Sequence, residues 1–258
     1  KFIEKQDFLD AIDRIVGGLE RKSKIITKDE KKTIAYHESG HAAISWLLEH
    51  AHPLVKVTII PRGRALGAAW YLPEERQITT REQLVDEMCA ALGGRVAEEL
   101  VFGKISTGAM NDLEKITKQA YAMIAYFGMS DKVGHVSFYD SSGQSDMTFT
   151  KPYSEKTAEL IDAEAKGLIE EAYKRSKEIL TKHMDGLNKL AEILLEKEVI
   201  FAEDLEAIFG KRPWPSKHEK ELLWESKNGN SIQEPTHAES EEKTEDEDSQ
   251  KKKKKIIE

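Results

Sequence analysis

Apolar residues recur at helical spacing over most of the chain up to Trp214, and the pattern breaks at a few well-marked points. Phe8, Leu9, Ile12, Ile15 and Val16 form one stripe over residues 6–16, closed by Gly17-Gly18. Thr27 and Glu30 have the spacing of a capping box for a helix that runs to about His50. Its face is Ile34, His37, His41, Ile44 and Leu48, so the two histidines lie one above the other. Residues 54–60 are a β-branched run ended by Pro61 and Gly63, and residues 65–72 read as a second strand. Thr80 and Gln83 cap a helix with the row Leu84, Met88, Leu92, Val96 and Leu100, and Gly103 ends it.

A Ser-Thr-Gly loop at 104–110 leads to a helix carrying Leu113, Ile116, Ala120, Met123 and Phe127, with Gly128 as its stop. Residues 129–153 are rich in Ser, Asp, Gly and aromatics and read as irregular. A long helix from Ser154 towards Lys182 and shorter ones near 185–196 and 202–209 follow. Beyond Trp214 the aliphatic pattern gives way to Glu, Ser, Lys and Asn, a composition that predicts disorder. The expected fold is mainly α with a small β-sheet, ending in a helical bundle.

Composition narrows the function. Of 258 residues, 39% are hydrophobic and 33% charged, and much of the charge lies in the last forty or so. The net charge of −8 includes no folded basic patch, so no nucleic-acid partner is expected. Cys89 is the only cysteine, which excludes an internal disulfide. No apolar run approaches the roughly twenty residues needed to span a bilayer. The five lysines at 251–255 follow an acidic run and read as solvated.

His37-Glu38-Ser39-Gly40-His41 is an HExxH motif within a predicted helix. The i, i+4 spacing lets both imidazoles reach one metal ion, and Glu38 leans towards a water on that metal. Two buried histidines beside a glutamate would make a core with unsatisfied polar atoms unless a ligand were present. Zinc usually takes three protein ligands in a catalytic site. A third histidine in the following turns is excluded, because Ile44 and Leu47 occupy them. The remaining candidates are Glu74, Glu75, Glu98, Glu99 and Asp112, and spacing does not choose among them. His50, His52, His135, His183, His218 and His237 lack ligand spacing and read as structural or exposed, and Cys89 reads as a buried, inert thiol.

The chain resembles the FtsH family of ATP-dependent zinc proteases. The resemblance covers about residues 5–214 and rests on YHESGHA at 36–42, ALGAAWYLPE at 65–74, GGRVAEELVFG at 93–103, STGAMNDLEKIT at 106–117 and YFGMS at 126–130. It implies a zincin-like fold with Zn2+ held by His37, His41 and Asp112, Glu38 as general base, and Glu98 supporting the zinc site. Ser39 stands where the family more usually has alanine. The resemblance assigns residues 1–20 to the last helix of an AAA+ lid and 32–212 to the peptidase, while composition marks 21–31 as a linker and 213–258 as a disordered charged tail. The resemblance also implies a homo-hexameric ring acting on unfolded or membrane proteins.

No Gly-x-x-x-x-Gly-Lys-Ser/Thr loop occurs. ATP, Mg2+ and the membrane segments are therefore expected in a part of the protein before Lys1. The expected location is the cytoplasmic face of a bacterial inner membrane, with an organellar membrane as the alternative. A Gly-containing strand beside the zinc offers main-chain groups to an extended substrate, so Leu66, Gly67, Ala68, Ala69, Trp70 and Tyr71 are expected to bind it. The opposing reading is a silent scaffold ring, against which the intact motif argues.

Overall fold

The computed structural model describes residues 27–61, 66–71, 77–139 and 152–214, with isolated positions 11 and 14. The helix expected over 6–16, most of the linker and nearly all of the tail lie outside the described residues. Helix α1 spans Lys28–Leu47, so its first turn overlaps the segment read as linker. The Thr27 hydroxyl accepts from the Glu30 amide at 3.2 Å, and the Glu30 carboxylate accepts from the Thr27 amide at 2.9 Å. At the other end Arg212 Nη2 donates to the carbonyls of Leu48, Glu49 and Ala51 at 3.2, 3.3 and 2.7 Å. Both ends of the helix that carries the motif are thus chemically closed.

Strands β1 (Leu54–Thr58), β2 (Ala68–Tyr71) and β3 (Val199–Phe201) form an antiparallel sheet in the order β2-β1-β3. Val57 stands opposite Ala69 on one side and Ile200 on the other, and a register shift lies between Leu54 and Lys56. β3 has no counterpart in the sequence reading. It follows Glu198, a non-glycine residue held at φ 60°, whose carbonyl accepts from the Ile59 amide at 3.0 Å.

Helix α2 (Arg81–Phe102) starts at the expected Thr80–Gln83 capping box and ends at Gly103 with φ 61°. A 3₁₀ turn at Thr107–Ala109 leads into α3 (Met110–Ala125). Residues 129–139 are irregular, as the composition suggests, and 140–151 lie outside the described residues. The C-terminal helices are α4 (Glu155–Lys182), α5 (Met184–Lys197) and α6 (Ala202–Phe209).

The expected apolar rows become two cores. Met88, Leu92 and Val96 of α2 pack with Ile116 and Met123 of α3 and with Ile161, Leu168 and Leu180 of α4. Ala35, Ala42 and Trp46 of α1 pack with Val57, Ile200, Leu190, Leu194 and Leu205. Burying one such large side chain contributes roughly 1.5–3 kcal/mol, against about 1 kcal/mol for a cap. Burial therefore decides that the helices form, and the caps decide where they start. α1 lies between the two cores, with its polar motif at the seam.

Candidate metal centre

The i, i+4 spacing on α1 sets the His37 and His41 rings 4.7 Å apart, nearly perpendicular at 79°. Their Nε2 atoms approach to 3.0 Å. Asp112, in the first turn of α3, brings Oδ2 to 3.5 Å from the His37 Nε2 and 3.6 Å from that of His41. The turn before α3 is tied by the Ser106 hydroxyl, which accepts from the Gly108 amide at 3.1 Å. Among the described residues, these three are the one group of three or more His, Cys, Asp or Glu side chains with ligand atoms gathered within 4.8 Å.

The outer nitrogens are fixed by α2. His37 Nδ1–H donates to Glu98 Oε1 at 2.7 Å, and His41 Nδ1–H donates to the Ala90 carbonyl at 2.8 Å. Glu98 Oε2 accepts from the Ser106 amide at 2.8 Å, so one carboxylate joins α1, α2 and the turn before α3. A carbonyl accepts only, as does an ionised carboxylate, so each Nδ1 carries the proton. The Nε2 atoms are therefore the ring nitrogens turned inward, towards each other and towards Asp112.

Two imidazole nitrogens and a carboxylate oxygen converging at these distances call for a positive charge between them, either a metal ion or, without one, a proton held on His37. Zinc bonds of about 2.0–2.2 Å to nitrogen and oxygen give a tetrahedron with edges of about 3.3–3.6 Å. Two of the three edges here, 3.5 and 3.6 Å, match that range and the imidazole–imidazole edge is shorter at 3.0 Å, so the donor set fits zinc in kind and comes close in size. Three ligands leave one position open, the arrangement of a catalytic rather than a structural site.

The surrounding charges point the same way. Burial would lower the pKa of His37, but hydrogen bonds to Asp112 and Glu98 and the charge of Glu38 outweigh it and raise it to about 10. Burial would raise Asp112, yet the two histidines hold it well below the usual carboxylate range. Glu98 is likewise held low, its burial outweighed by His37 and Ser106. Glu38 goes the other way: burial raises it, and the histidine charges only partly offset this. The site thus holds two carboxylates pulled towards ionisation and one made more basic.

Of the candidate third ligands among the described residues, Asp112 is the one that reaches both histidines. Glu99 is turned to Tyr173 and to Lys177, whose Nζ lies 2.9 Å away. Glu74 and Glu75 lie outside the described residues. Glu98 is only 2% exposed, which rules out the surface ion pair its neighbour Arg95 would suggest. Leu66 to Tyr71 run beside the site, and among the described residues β2 pairs with β1 alone. Gly67 abuts Glu38, where an added Cβ would lie 2.8 Å from both Cγ and Oε1 of the carboxylate. Cys89 is fully buried, donates to the Ala172 carbonyl at 3.5 Å and has its thiol pKa raised by burial.

The glycines of α1 and α2 have a role that the motif does not express. A Cβ on Gly40 would lie 2.3 Å from the Gly93 carbonyl oxygen, and one on Gly93 would lie 2.5 Å from that of Gly40. The two backbones touch at this crossing. The available signal was Gly93-Gly94 inside a helical pattern, where each glycine costs about 1 kcal/mol relative to alanine and so calls for a packing reason.

An HExxH helix, an acidic side chain from a later helix converging on its histidines and an edge strand beside them define the metallopeptidase class of site. The chain belongs to peptidase family M41, whose model matches residues 24–208. It is 66% identical over 230 residues to the ATP-dependent zinc metalloprotease FtsH of Parabacteroides distasonis, covering 89% of this chain and 34% of that protein. It is 52% identical over 215 residues to the mouse mitochondrial inner membrane m-AAA protease component AFG3L2, covering 83% of this chain and 27% of the relative. The ATP-dependent zinc metalloprotease FtsH of Rhodothermus marinus is 52% identical over 235 residues, covering 90% of the chain and 33% of that protein. The chain spans about a third or less of the length of these curated relatives.

Proposed function

We propose that this chain is the zinc endopeptidase module of a membrane-anchored, ATP-dependent protease that degrades unfolded polypeptide. The observation that carries the proposal is the convergence of His37 Nε2, His41 Nε2 and Asp112 Oδ2, with both imidazoles held from behind by α2. His37, His41 and Asp112 are the ligands. Zinc bound there supplies Lewis-acid polarisation of the scissile carbonyl and lowers the pKa of a water towards neutrality.

Glu38 is the general base. Its burial makes it more basic than an exposed glutamate, which suits it to accept a proton from the attacking water. The same carboxylate then delivers that proton to the nitrogen of the departing amine. Glu98 keeps the His37 ring in the tautomer that offers Nε2 inward. No covalent enzyme intermediate is needed.

The open edge of β2 binds substrate. An extended peptide pairing with Leu66 to Tyr71 is held through its main chain, which gives affinity with little dependence on side chains. This suits a protease that takes any unfolded segment. Gly67 sets this strand directly against Glu38, so a bound backbone lies beside the base.

None of the described helices is long and apolar enough to cross a membrane. The AAA+ motor with its ATP and Mg2+, and the membrane anchor, belong to the portion of the whole protein corresponding to what this chain does not cover in its relatives. In that whole protein the module works in a homo-hexamer, at the cytoplasmic face of a bacterial inner membrane. The high identity to a bacterial relative favours this over an organelle. The test is casein digestion by the chelator-stripped chain before and after zinc is restored. Cleavage that returns with zinc supports the proposal, and zinc-independent cleavage overturns it.

A further inference from the structure

Three residues of α2 at successive i+4 positions face the two histidines. Ala90 gives its carbonyl to His41, and Glu98 gives a carboxylate oxygen to His37. Between them stands Gly94, with no side chain to offer. A Cβ there would lie 2.5 Å from Nε2, 2.6 Å from Cδ2 and 2.6 Å from Cε1 of His37. These are three atoms of one ring, and Nε2 is the atom turned towards His41 and Asp112. The ring therefore lies flat over the Gly94 Cα.

The ring has nowhere to retreat. Its Nδ1 is tied to Glu98 at 2.7 Å, and its own backbone lies in the α1–α2 crossing, where Gly40 and Gly93 already touch. Real Cβ atoms do not approach to 2.5 Å, so a side chain at 94 must turn the imidazole or part the helices. Either movement carries Nε2 away from its partners.

We infer that Gly94 is a positioning residue, a seat without a side chain that fixes the His37 imidazole in its metal-binding orientation. The inference rests on His37 being a zinc ligand, as proposed above. It explains why a helix interior keeps a glycine that alanine would otherwise improve. It adds a steric seat to the hydrogen bond from Glu98: one sets the ring's plane and the other its rotation within that plane.

The test uses the full chain with Gly94→Ala, His37→Ala and the double variant, and Gly167→Ala as control. Gly167 lies within α4 with nothing within 4 Å of an added Cβ. Zinc affinity is measured by chelator competition, and thermal unfolding is followed in the zinc-stripped proteins. Gly94→Ala is expected to weaken zinc binding about 10–100-fold, the range seen when supports of a ligand are removed, whereas Gly167→Ala leaves it unchanged. Gly94→Ala should also lower the melting temperature, but not when His37 is already alanine, because the clash is with the ring itself.

Wild-type zinc affinity in Gly94→Ala overturns the inference. So does an equal loss of stability in both backgrounds, or a double variant that fails to fold. If the single variant does not fold but the double one does, the seat is supported. A wild-type chain that binds no zinc refutes the ligand assignment and the positioning role with it. The stability cycle then separates that failure from a loss of the ring contact.

Discussion

Gly67 and Glu38 touch so closely that a methyl group on the glycine would stand 2.8 Å from the carboxylate's Oε1. The start of the edge strand and the glutamate of the motif helix are thus one steric unit, which, under the roles proposed for β2 and Glu38, ties substrate placement to proton transfer. Gly67→Ala is expected to lower kcat for peptide cleavage about 100-fold, the scale of a 1 Å misplacement in an active site. Zinc content should stay at the wild-type level, because Gly67 abuts Glu38 rather than the proposed ligands His37, His41 and Asp112. Metal analysis alongside steady-state kinetics separates the two effects.

Glu98→Gln removes a carboxylate that bonds to both His37 and the Ser106 amide. The neutral amide has one oxygen for two donors and sets its NH2 group against one of them. Zinc affinity should fall about 10–100-fold, with smaller losses in folding stability. Chelator competition measures the first and urea unfolding the second.

Alanine at two helical glycines gives opposite results, one at the α1–α2 crossing and one away from it. Gly40→Ala drives a Cβ to 2.3 Å from the Gly93 carbonyl oxygen and 2.7 Å from the Ala97 Cβ. Overpacking of this kind costs about 1–3 kcal/mol, and backbone contact puts Gly40 at the upper end. Gly167→Ala meets nothing and should stabilise by about 1 kcal/mol through helix propensity. Urea midpoints of the two variants should move to opposite sides of the wild type.

In the zinc-stripped chain His37 has a pKa of about 10 against an ordinary 6.5. A raised pKa means that the proton stabilises the fold. That contribution is complete below pH 6.5 and is lost as pH rises through 10. Asp112, depressed by the histidines, contributes above its ordinary 3.8 and loses its contribution as pH falls through its lower folded value. The zinc-stripped protein should therefore lose stability between pH 6.5 and 10, and Asp112→Asn should flatten that slope. Urea unfolding across this range provides the measurement.

Local features of this fold were readable from sequence, and the long-range ones were not. Thr27, Thr80 and Ser154 marked three helix starts, and Gly103 one helix end, because a cap depends on its near neighbours. β3 was missed: three residues between two helices are too few to show alternation, and its pairing with Val57 is set by the fold. His37, Glu38 and His41 were legible through helical period alone. Asp112 was not, since it arrives from another helix, and the family resemblance was needed to single it out. Glu98 and Glu99 are adjacent in sequence and opposite in role, one turned to His37 and the other to Lys177. The rotation of α2 decides between them, and no spacing rule gives that rotation. Gly94 was legible only as a glycine inside a helical pattern, because the ring it seats lies on a different helix.

The most direct measurement is casein cleavage by the zinc-loaded chain, with Glu38→Gln at matched zinc content. The account predicts cleavage by the wild type without ATP, and a loss of at least about 100-fold in the variant, as expected for removing a general base. Equal cleavage by both proteins would contradict the role given to Glu38, and a fully zinc-loaded wild type that leaves casein intact would contradict the peptidase reading of this chain.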